Sequence, residues 1–500
     1  MSRVVVVGAG VGGLAVAARL AGTGHAVTVC ESAEEVGGKL GLVVHDEPGV
    51  GQFRFDTGPS LVTLPQVFRD LFEDTGGWPD GLSLEPLDPT ARYRFADGTG
   101  FDASPDLDVQ CRRLDEALQP GSGDDWRAFH ARAGRVWAAS RTPFLESALS
   151  GPGAVARLAA RSPRDIAAIA PGRTLRSLGR RHLRDPRLRT YLDRYATYTG
   201  SDPRRAPAAL AAVPYVEQEY GGWYVPGGLF RLGLAVRDRA VERGAVLRTG
   251  ATVERIETAA GRACGVRLAG GERLPADVVV ANADAAHVYG ALVDAPVAAR
   301  RLARATPSLS GFVLLLAVRG RTPGLAHHNV LFPRDYDAEF DAVFGDPAVP
   351  VPDPTLYVSA PDDPAVRPDG CEAWFVLVNA PRHAAGPRPG PGAVDWRAPG
   401  RTESYADGLL DLLAARGLPV RDRVLWSQAL SPADLEQRTG AVGGAIYGTS
   451  SNGVSAAFLR PANASPVPGL FLVGGSSHPG GGLPLVALSA QIVAGLVGAA

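Results

Sequence analysis

Val4-Val5-Val6-Val7 is an unbroken β-branched run, followed at once by Gly8-Ala9-Gly10-Val11-Gly12-Gly13 and then by mostly apolar residues from 14 to 20. An apolar run of that length predicts a strand buried on both faces, and the stretch behind it predicts a helix. Val27-Thr28-Val29-Cys30 repeats the strand signal and ends in Glu31. Strand, glycine turn, helix, second strand and terminal acid together make a dinucleotide-binding βαβ unit. Gly8 permits the turn, Gly10 lets backbone approach a pyrophosphate, and Gly13 lets helix pack on strand. Gly12 belongs to the same glycine-rich turn, ahead of the helix whose unpaired N–H groups meet the anion. Glu31 would accept ribose hydroxyls and repel a 2′-phosphate, which makes NADP an unsuitable occupant.

The pattern changes at residue 87. Short alternating strands with Tyr93-Arg94-Phe95 and an Asp97-Gly98 hairpin signal predict a second domain. Residues 124–205 read as mostly helical, broken at Gly151-Pro152-Gly153. The segment Tyr220-Gly221-Gly222-Trp223-Tyr224 either walls a planar ligand or packs in the core, and a helix over 229–243 follows it. Four short strands are expected within 246–281, and Thr252-Val253-Glu254 belongs to the second of them. Residues 309–318 and 356–378 read as apolar strands of a substrate-domain sheet, 386–400 as an exposed connection and 408–416 as a short helix. The end repeats the opening: a strand at 470–473, the glycine-rich loop Gly474-Gly475-Ser476-Ser477-His478-Pro479-Gly480-Gly481-Gly482, then a helix beginning Leu483-Pro484. The expected organisation is α/β: a dinucleotide domain from 1–86, 220–290 and 426–500, and an inserted α+β domain from 87–219 and 291–425.

Composition narrows the class without naming an activity. The 500 residues are too many for one compact core, and 51 basic against 52 acidic residues give no global pull toward nucleic acid. Cys30, Cys111, Cys264 and Cys371 are far apart and lack a C-x-x-C pair, so reduced thiols and no metal are expected. His327-His328 would point apart on a strand and make a poor joint ligand. The uncharged stretch 483–500 is interrupted by Pro484, Ser489 and Gln491 and reads as a buried final helix rather than a membrane span. Arg3 and the apolar run behind it could pass for a secretory signal, but such a segment needs neither spaced glycines nor Glu31, so a cytoplasmic location is expected.

Local charge differs from the global balance. Arg157, Arg161, Arg164, Arg173, Arg176, Arg180, Arg181, Arg184, Arg187 and Arg189 are interleaved with Leu158, Ile166, Ile169, Leu175, Leu178, Leu183 and Leu188. This is either a solvated helix face or a basic amphipathic surface that docks on an anionic bilayer.

Several segments carry a family resemblance. Gly37-Gly38-Lys39, shortly after Glu31, is similar to the glutamate, about six residues, then G-G-[KR] arrangement of FAD enzymes with a glutathione-reductase-like fold. Asp56-Thr57-Gly58-Pro59-Ser60 resembles the segment that passes the flavin ring in that class, and Thr252-Val253-Glu254 resembles the strand whose backbone meets the adenine. With Leu472-Val473-Gly474-Gly475-Ser476-Ser477-His478-Pro479-Gly480-Gly481-Gly482-Leu483-Pro484, these segments resemble the bacterial phytoene desaturase (carotenoid desaturase) family over nearly the whole chain. Gly443-Gly444-Ala445-Ile446-Tyr447-Gly448 and Ser451-Asn452-Gly453 look more like the branch that forms 3,4 double bonds in 1-hydroxylated carotenoids.

The resemblance implies FAD, a lipophilic carotenoid substrate and peripheral contact with the cytoplasmic membrane through the basic helices. Phytoene desaturation, oxidation of a carotenoid terminal methyl, amine oxidation and non-catalytic prenyl binding remain alternatives. Gly58, Pro59 and Ser60 become candidate flavin neighbours, and Val253, Gly474, Gly475, Gly482, Leu483 and Pro484 cofactor contacts. His478 is either a loop-shaping residue or a proton acceptor.

Overall fold

In the computed structural model, which describes residues 1–148, 160, 162–453, 456 and 460–500, the run Arg3–Val7 is the central strand of a parallel five-stranded sheet. The strand order is Leu470–Leu472, Val278–Ala281, Arg3–Val7, Ala26–Cys30, Val246–Arg248. The unbroken apolar run follows from burial on both faces. Val4 and Val6 pack in one cluster with helices Val11–Gly22, Phe230–Glu242 and Leu483–Val497. Val5 and Val7 pack on the other side, against Ile256 and Val266 of an antiparallel sheet formed by Val253–Ala259, Arg262–Leu268 and Arg273–Pro275. Three distant parts of the chain thus build one Rossmann-like domain, and the fold is α/β with an inserted α+β domain.

The second domain has a seven-stranded mixed sheet in the order Val424–Leu430, Ser310–Arg319, Cys371–Ala380, Leu356–Ser359, His328–Leu331, Ala91–Arg94, Gly100–Ala103. Helices Leu107–Ala117, Ser122–Phe144, Leu175–His182, Pro186–Arg194 and Ala212–Tyr220 pack beside it. In the long helix, Trp126, Phe129, Ala133, Val136 and Trp137 recur at helical spacing and are all buried.

Several elements differ from the sequence expectation. The stretch 274–281 is two strands in two sheets, because Pro275 ends one ladder before Val278 begins the next. Residues 356–378 likewise divide into Leu356–Ser359 and Cys371–Ala380 around a proline-bearing loop. The helix expected over 408–416 runs from Arg401 to Ala415. Leu107–Ala117 is an additional helix, capped by Asp106, whose carboxylate accepts the Asp108 and Val109 amides at 2.9 and 3.0 Å. The connection 386–400 is not wholly exposed, since Trp396 is buried and donates its indole N–H to the Pro381 carbonyl at 2.9 Å. Strand Val424–Leu430 pairs with Ser310–Arg319, so the substrate-domain sheet crosses the boundary set at 425.

The arginine-rich region is more internally committed than its sequence suggested. Leu175, Leu178, Leu183 and Leu188 are core residues of the helical part. Arg176 pairs with Asp193 and Asp337, Arg184 with Asp125, and Arg187 with Asp185 and Asp97. Arg189 donates to the backbone carbonyls of Leu183 and Arg184. Asp97, Asp125 and Asp337 come from elements outside this region, while Asp185 and Asp193 lie within it. Arg164, Arg173, Arg180 and Arg181 remain exposed, with no ion pair among the described residues. Arg157, Leu158, Arg161 and the Gly151-Pro152-Gly153 break lie outside the described residues. No described helix is long and apolar enough to cross a membrane, and Leu483–Val497 packs in the Rossmann core.

Candidate active site

The first turn ends in a helix that no side chain caps. Gly10 is its N-cap, and the first helical turn carries no acid, so the amide dipoles face outward unopposed. A Cβ on Gly13 would lie 2.1 Å from the Gly8 carbonyl oxygen, and one on Gly10 would lie 2.8 Å from the Asn282 side-chain nitrogen. Gly13 therefore serves helix-on-strand packing, while Gly8, Gly10 and Gly12 line the cavity that opens there. Glu31 is buried; its carboxylate accepts the Ala9 amide at 2.6 Å and the Ala33 amide at 3.0 Å. The oxygen that accepts from Ala33 also accepts from the Ser32 hydroxyl at 3.1 Å, whereas the oxygen that accepts from Ala9 keeps a lone pair that a ribose hydroxyl can use.

Gly37 and Gly38 lie directly on this turn. The Gly37 amide donates to Ala9 O at 2.9 Å, and a Cβ on Gly38 would stand 3.4 Å from the Gly10 Cα. Gly58 is pressed onto the same loop, where a Cβ would fall 2.0 Å from Lys39 O. The C-terminal loop closes the other side. Gly474 has φ +105°, and a Cβ there would be 2.7 Å from Asn282 Oδ1; Gly482 caps helix Leu483–Val497 with φ +103°. The amide of Asn282 thus touches the space of Gly8, Gly10, Gly12 and Gly474 at once. Such a cradle, which Cβ atoms would fill and which ends in an uncapped helix, fits the pyrophosphate of FAD. Gly37, Gly38, Lys39, Gly58, Pro59, Ser60, Val253, Gly474, Gly475, His478, Gly482, Leu483 and Pro484 all border the same cavity as the first turn.

Lys39 does more than turn the chain. Its ammonium donates to the carbonyl of Ala445 at 2.9 Å and to that of Ile446. Burial lowers its pKa to about 8, against the pull of Asp284, with Arg460 adding a second positive charge. Arg460 donates to the Tyr447, Thr449 and Gly475 carbonyls and has no hydrogen-bonded acid among the described residues. Burial raises the Asp284 carboxyl, and its Oδ2 lacks a hydrogen-bond partner among the described residues. His478 is buried with Nε2 2.9 Å from Ser147 O, so Nε2 carries the hydrogen; burial holds the ring below its ordinary pKa and therefore neutral at pH 7.

The cavity measures about 1300 Å³, above the roughly 300–1,000 Å³ usual for one small-molecule site. Beyond the glycine cradle it runs into the second domain, where Trp137, Phe144, Ile166, Val213, Val313 and Leu377 form apolar wall. Polar residues, Ser140 and Asn379 among them, also border it, and one polar group adjoins Ser60. Ser60 Oγ meets the Tyr357 hydroxyl, which lies 2.8 Å from His328 Nδ1. The Arg194 guanidinium stands 5.8 Å from the centre of the Tyr357 ring, and its Nη1 donates to the hydroxyls of Tyr198 at 2.8 Å and Tyr93 at 3.3 Å. Glu217 accepts from Tyr195 at 2.6 Å and from Tyr198 at 3.1 Å.

Other candidates are absorbed elsewhere. Tyr220, Trp223 and Tyr224 do not border the cavity; Tyr224 donates to Asp363 at 2.9 Å, so these aromatics pack rather than wall a ligand. The rings of His327 and His328 are 4.5 Å apart rather than divergent, because the strand begins only at His328 and alternation does not apply to its predecessor. Asn282, Asp284, Arg460, Arg194 and Glu217 escaped the sequence reading. The position of Asn282 and Asp284 just past a parallel strand was a usable signal. Nothing in sequence marks Arg194 or Glu217, since burial of a charge is a tertiary fact.

The fold and cradle define an FAD-dependent oxidoreductase. Residues 11–360 match the model for flavin containing amine oxidoreductases. The chain belongs to that family, and within it to the carotenoid desaturase and oxygenase group. It is 34% identical to a 4,4′-diapolycopene oxygenase of Methylomonas sp, covering 98% of this chain and 97% of the other. It is 37% identical to the hydroxyneurosporene desaturase of Cereibacter sphaeroides, covering 98% and 96%. Among solved structures, the cyclohexylamine oxidase of Brevibacterium oxydans superposes with a TM-score of 0.61 at 15% identity over 99% of this chain and 98% of the other.

Proposed function

We propose that this protein dehydrogenates adjacent carbons of an acyclic carotenoid in carotenoid biosynthesis, with the 3,4 bond of a 1-hydroxylated chain as the favoured case. The observation that carries the reading is the continuity of one cavity, with a dinucleotide cradle at one end and an apolar wall in the second domain at the other. FAD, when bound, supplies the hydride acceptor. Beside a polyene, loss of hydride leaves a delocalised cation whose neighbouring proton is acidic, so no strong base is required. The tasks left to the protein are to align the chain and exclude water, and an apolar channel performs both. The similarity to a hydroxyneurosporene desaturase supports the 1-hydroxylated branch.

The similarity to a diapolycopene oxygenase favours a second reading, oxidation of a terminal methyl. Docking at the cytoplasmic face of a membrane belongs to the main proposal. It is supported by exposed Arg164, Arg173, Arg180 and Arg181 near Ile166 and Ile169, which border the cavity. Each buried methylene favours the bilayer by about 0.8 kcal/mol, so direct transfer from lipid avoids a large cost.

The test is incubation of FAD-loaded protein in liposomes with plain and 1-hydroxylated acyclic carotenoids, followed by absorption spectra and product masses. A red shift with loss of two hydrogens supports desaturation. Gain of oxygen at a methyl supports the second reading, and conversion of phytoene but not of hydroxylated chains overturns the branch assignment.

A further inference from the structure

Arg194 is 8% exposed, borders the cavity, and spends only Nη1 on hydrogen bonds. Its Nε and Nη2 have no hydrogen-bond partner among the described residues, and neither belongs to the fully enclosed polar atoms that lack one. An arginine this buried, with unspent donors at a cavity wall, is incomplete without an acceptor. The ring faces of Tyr93, Tyr198 and Tyr357, at 5.6, 5.0 and 5.8 Å, hold the guanidinium in place but accept no directed N–H bond from its free edge. Glu217 also borders the cavity, and the Tyr198 hydroxyl joins the two residues by accepting from Arg194 and donating to Glu217.

The two charges select the ligand chemistry. A carboxylate would satisfy Arg194 but be repelled by Glu217, and an ammonium would meet the reverse. A carbonyl could use Arg194 alone. A neutral alcohol uses both, accepting from the guanidinium and donating to a free lone pair of Glu217. We infer that Arg194 and Glu217 form a hydroxyl-recognition site in the wall of the channel, which determines specificity for substrate chains bearing an alcohol near the bond that reacts. The inference rests on the carotenoid reading above and deepens it.

Position within the cavity supplies the second constraint. The Tyr357 ring beneath Arg194 carries the hydroxyl bonded to Ser60, and Ser60 belongs to the segment beside Gly58 and Pro59. The polar site is therefore one side chain away from the candidate flavin-facing loop, not at a distant end of the channel. An alcohol held there places the neighbouring carbons, rather than the middle of a long chain, near the cofactor. In a 1-hydroxylated chain the 3,4 bond begins two bonds from the carbinol carbon.

Binding is measured without turnover by adding plain and 1-hydroxylated carotenoids of equal polyene length to photoreduced holoenzyme in detergent, reading the shift of the polyene spectrum. Wild-type protein should bind the hydroxylated chain at least about tenfold more tightly, the scale of one hydrogen bond to a charged group. Arg194→Met should remove the preference while leaving affinity for the plain chain, and Arg194→Lys, which keeps charge but loses the fork, should restore part of it. Equal affinity of wild-type protein for the two chains overturns the inference, as does a flavin-loaded Arg194→Met protein that keeps the preference. Failure to bind either carotenoid instead overturns the proposed function.

Discussion

Lys39 is the only lysine in the chain, which makes its protonation state directly readable. Protein packed around its ammonium lowers the pKa from 10.5 to about 8. The residue's remaining accessible surface borders the cavity. At 1.36 kcal/mol per unit, the shift amounts to about 3 kcal/mol, an upper figure because water in the cavity screens part of it. The folded pKa lies below the unfolded one, so between pH 8 and 10.5 the unfolded chain holds more protons and stability rises with pH.

The perturbation is Lys39→Met. The stability of wild-type protein relative to this variant should improve by up to about 3 kcal/mol between pH 7 and the top of that window. Cys30 and the buried tyrosines, whose pKa values burial raises, oppose the trend equally in both proteins and cancel. Incorporating ¹³C-lysine gives one side-chain resonance to titrate in the cofactor-free protein. A midpoint near 8 is expected, falling further in Asp284→Asn, because that carboxylate raises it. A midpoint above 10 would refute the placement of the ammonium in a desolvated wall.

Gly13→Ala would bring a Cβ to 2.1 Å from Gly8 O and should cut the flavin-to-protein ratio of purified material more than tenfold, while Gly290→Ala, which meets nothing within 4 Å, should leave it unchanged. His478 is neutral at pH 7, so the pH–rate profile should lack an inflection near 6.5 from this residue. His478→Ala, which leaves the Ser147 carbonyl without its donor, should lower thermal stability by about 1 kcal/mol, and His478→Gln should recover part of it. The protein should co-sediment with anionic liposomes and dissociate at high salt. Reversing Arg180 and Arg181 to Glu should weaken that binding roughly tenfold or more at about 1 kcal/mol per charge; unchanged binding to neutral vesicles would remove the electrostatic part.

Local pattern located the cofactor half of the molecule well. The valine run, the spaced glycines and Glu31 lie within one continuous stretch, where backbone conformation follows from the residues themselves. Gly37 to Lys39 and Gly474 to Pro484 were also legible as places of close backbone approach. Sequence could not show that Gly37 donates to Ala9 across the intervening helix and strand, or that Asn282 sits among glycines from both ends of the chain, since those contacts join segments that are not neighbours in sequence. The arginine-rich helices show the opposite failure. Counting charges along the chain suggested a one-signed face, but Asp125 and Asp337 arrive from other elements and neutralise part of it.

By itself, the sequence determined the strand–glycine–helix unit, the FAD class and the family, because each rests on residue types at fixed local spacing. Only the tertiary structure decided that the cradle opens into one long apolar cavity and that Lys39 and Arg460 are buried together beside Asp284. It alone placed Arg194 and Glu217 in the channel wall. Those facts depend on desolvation and on which distant elements meet, and neither is written in the order of residues.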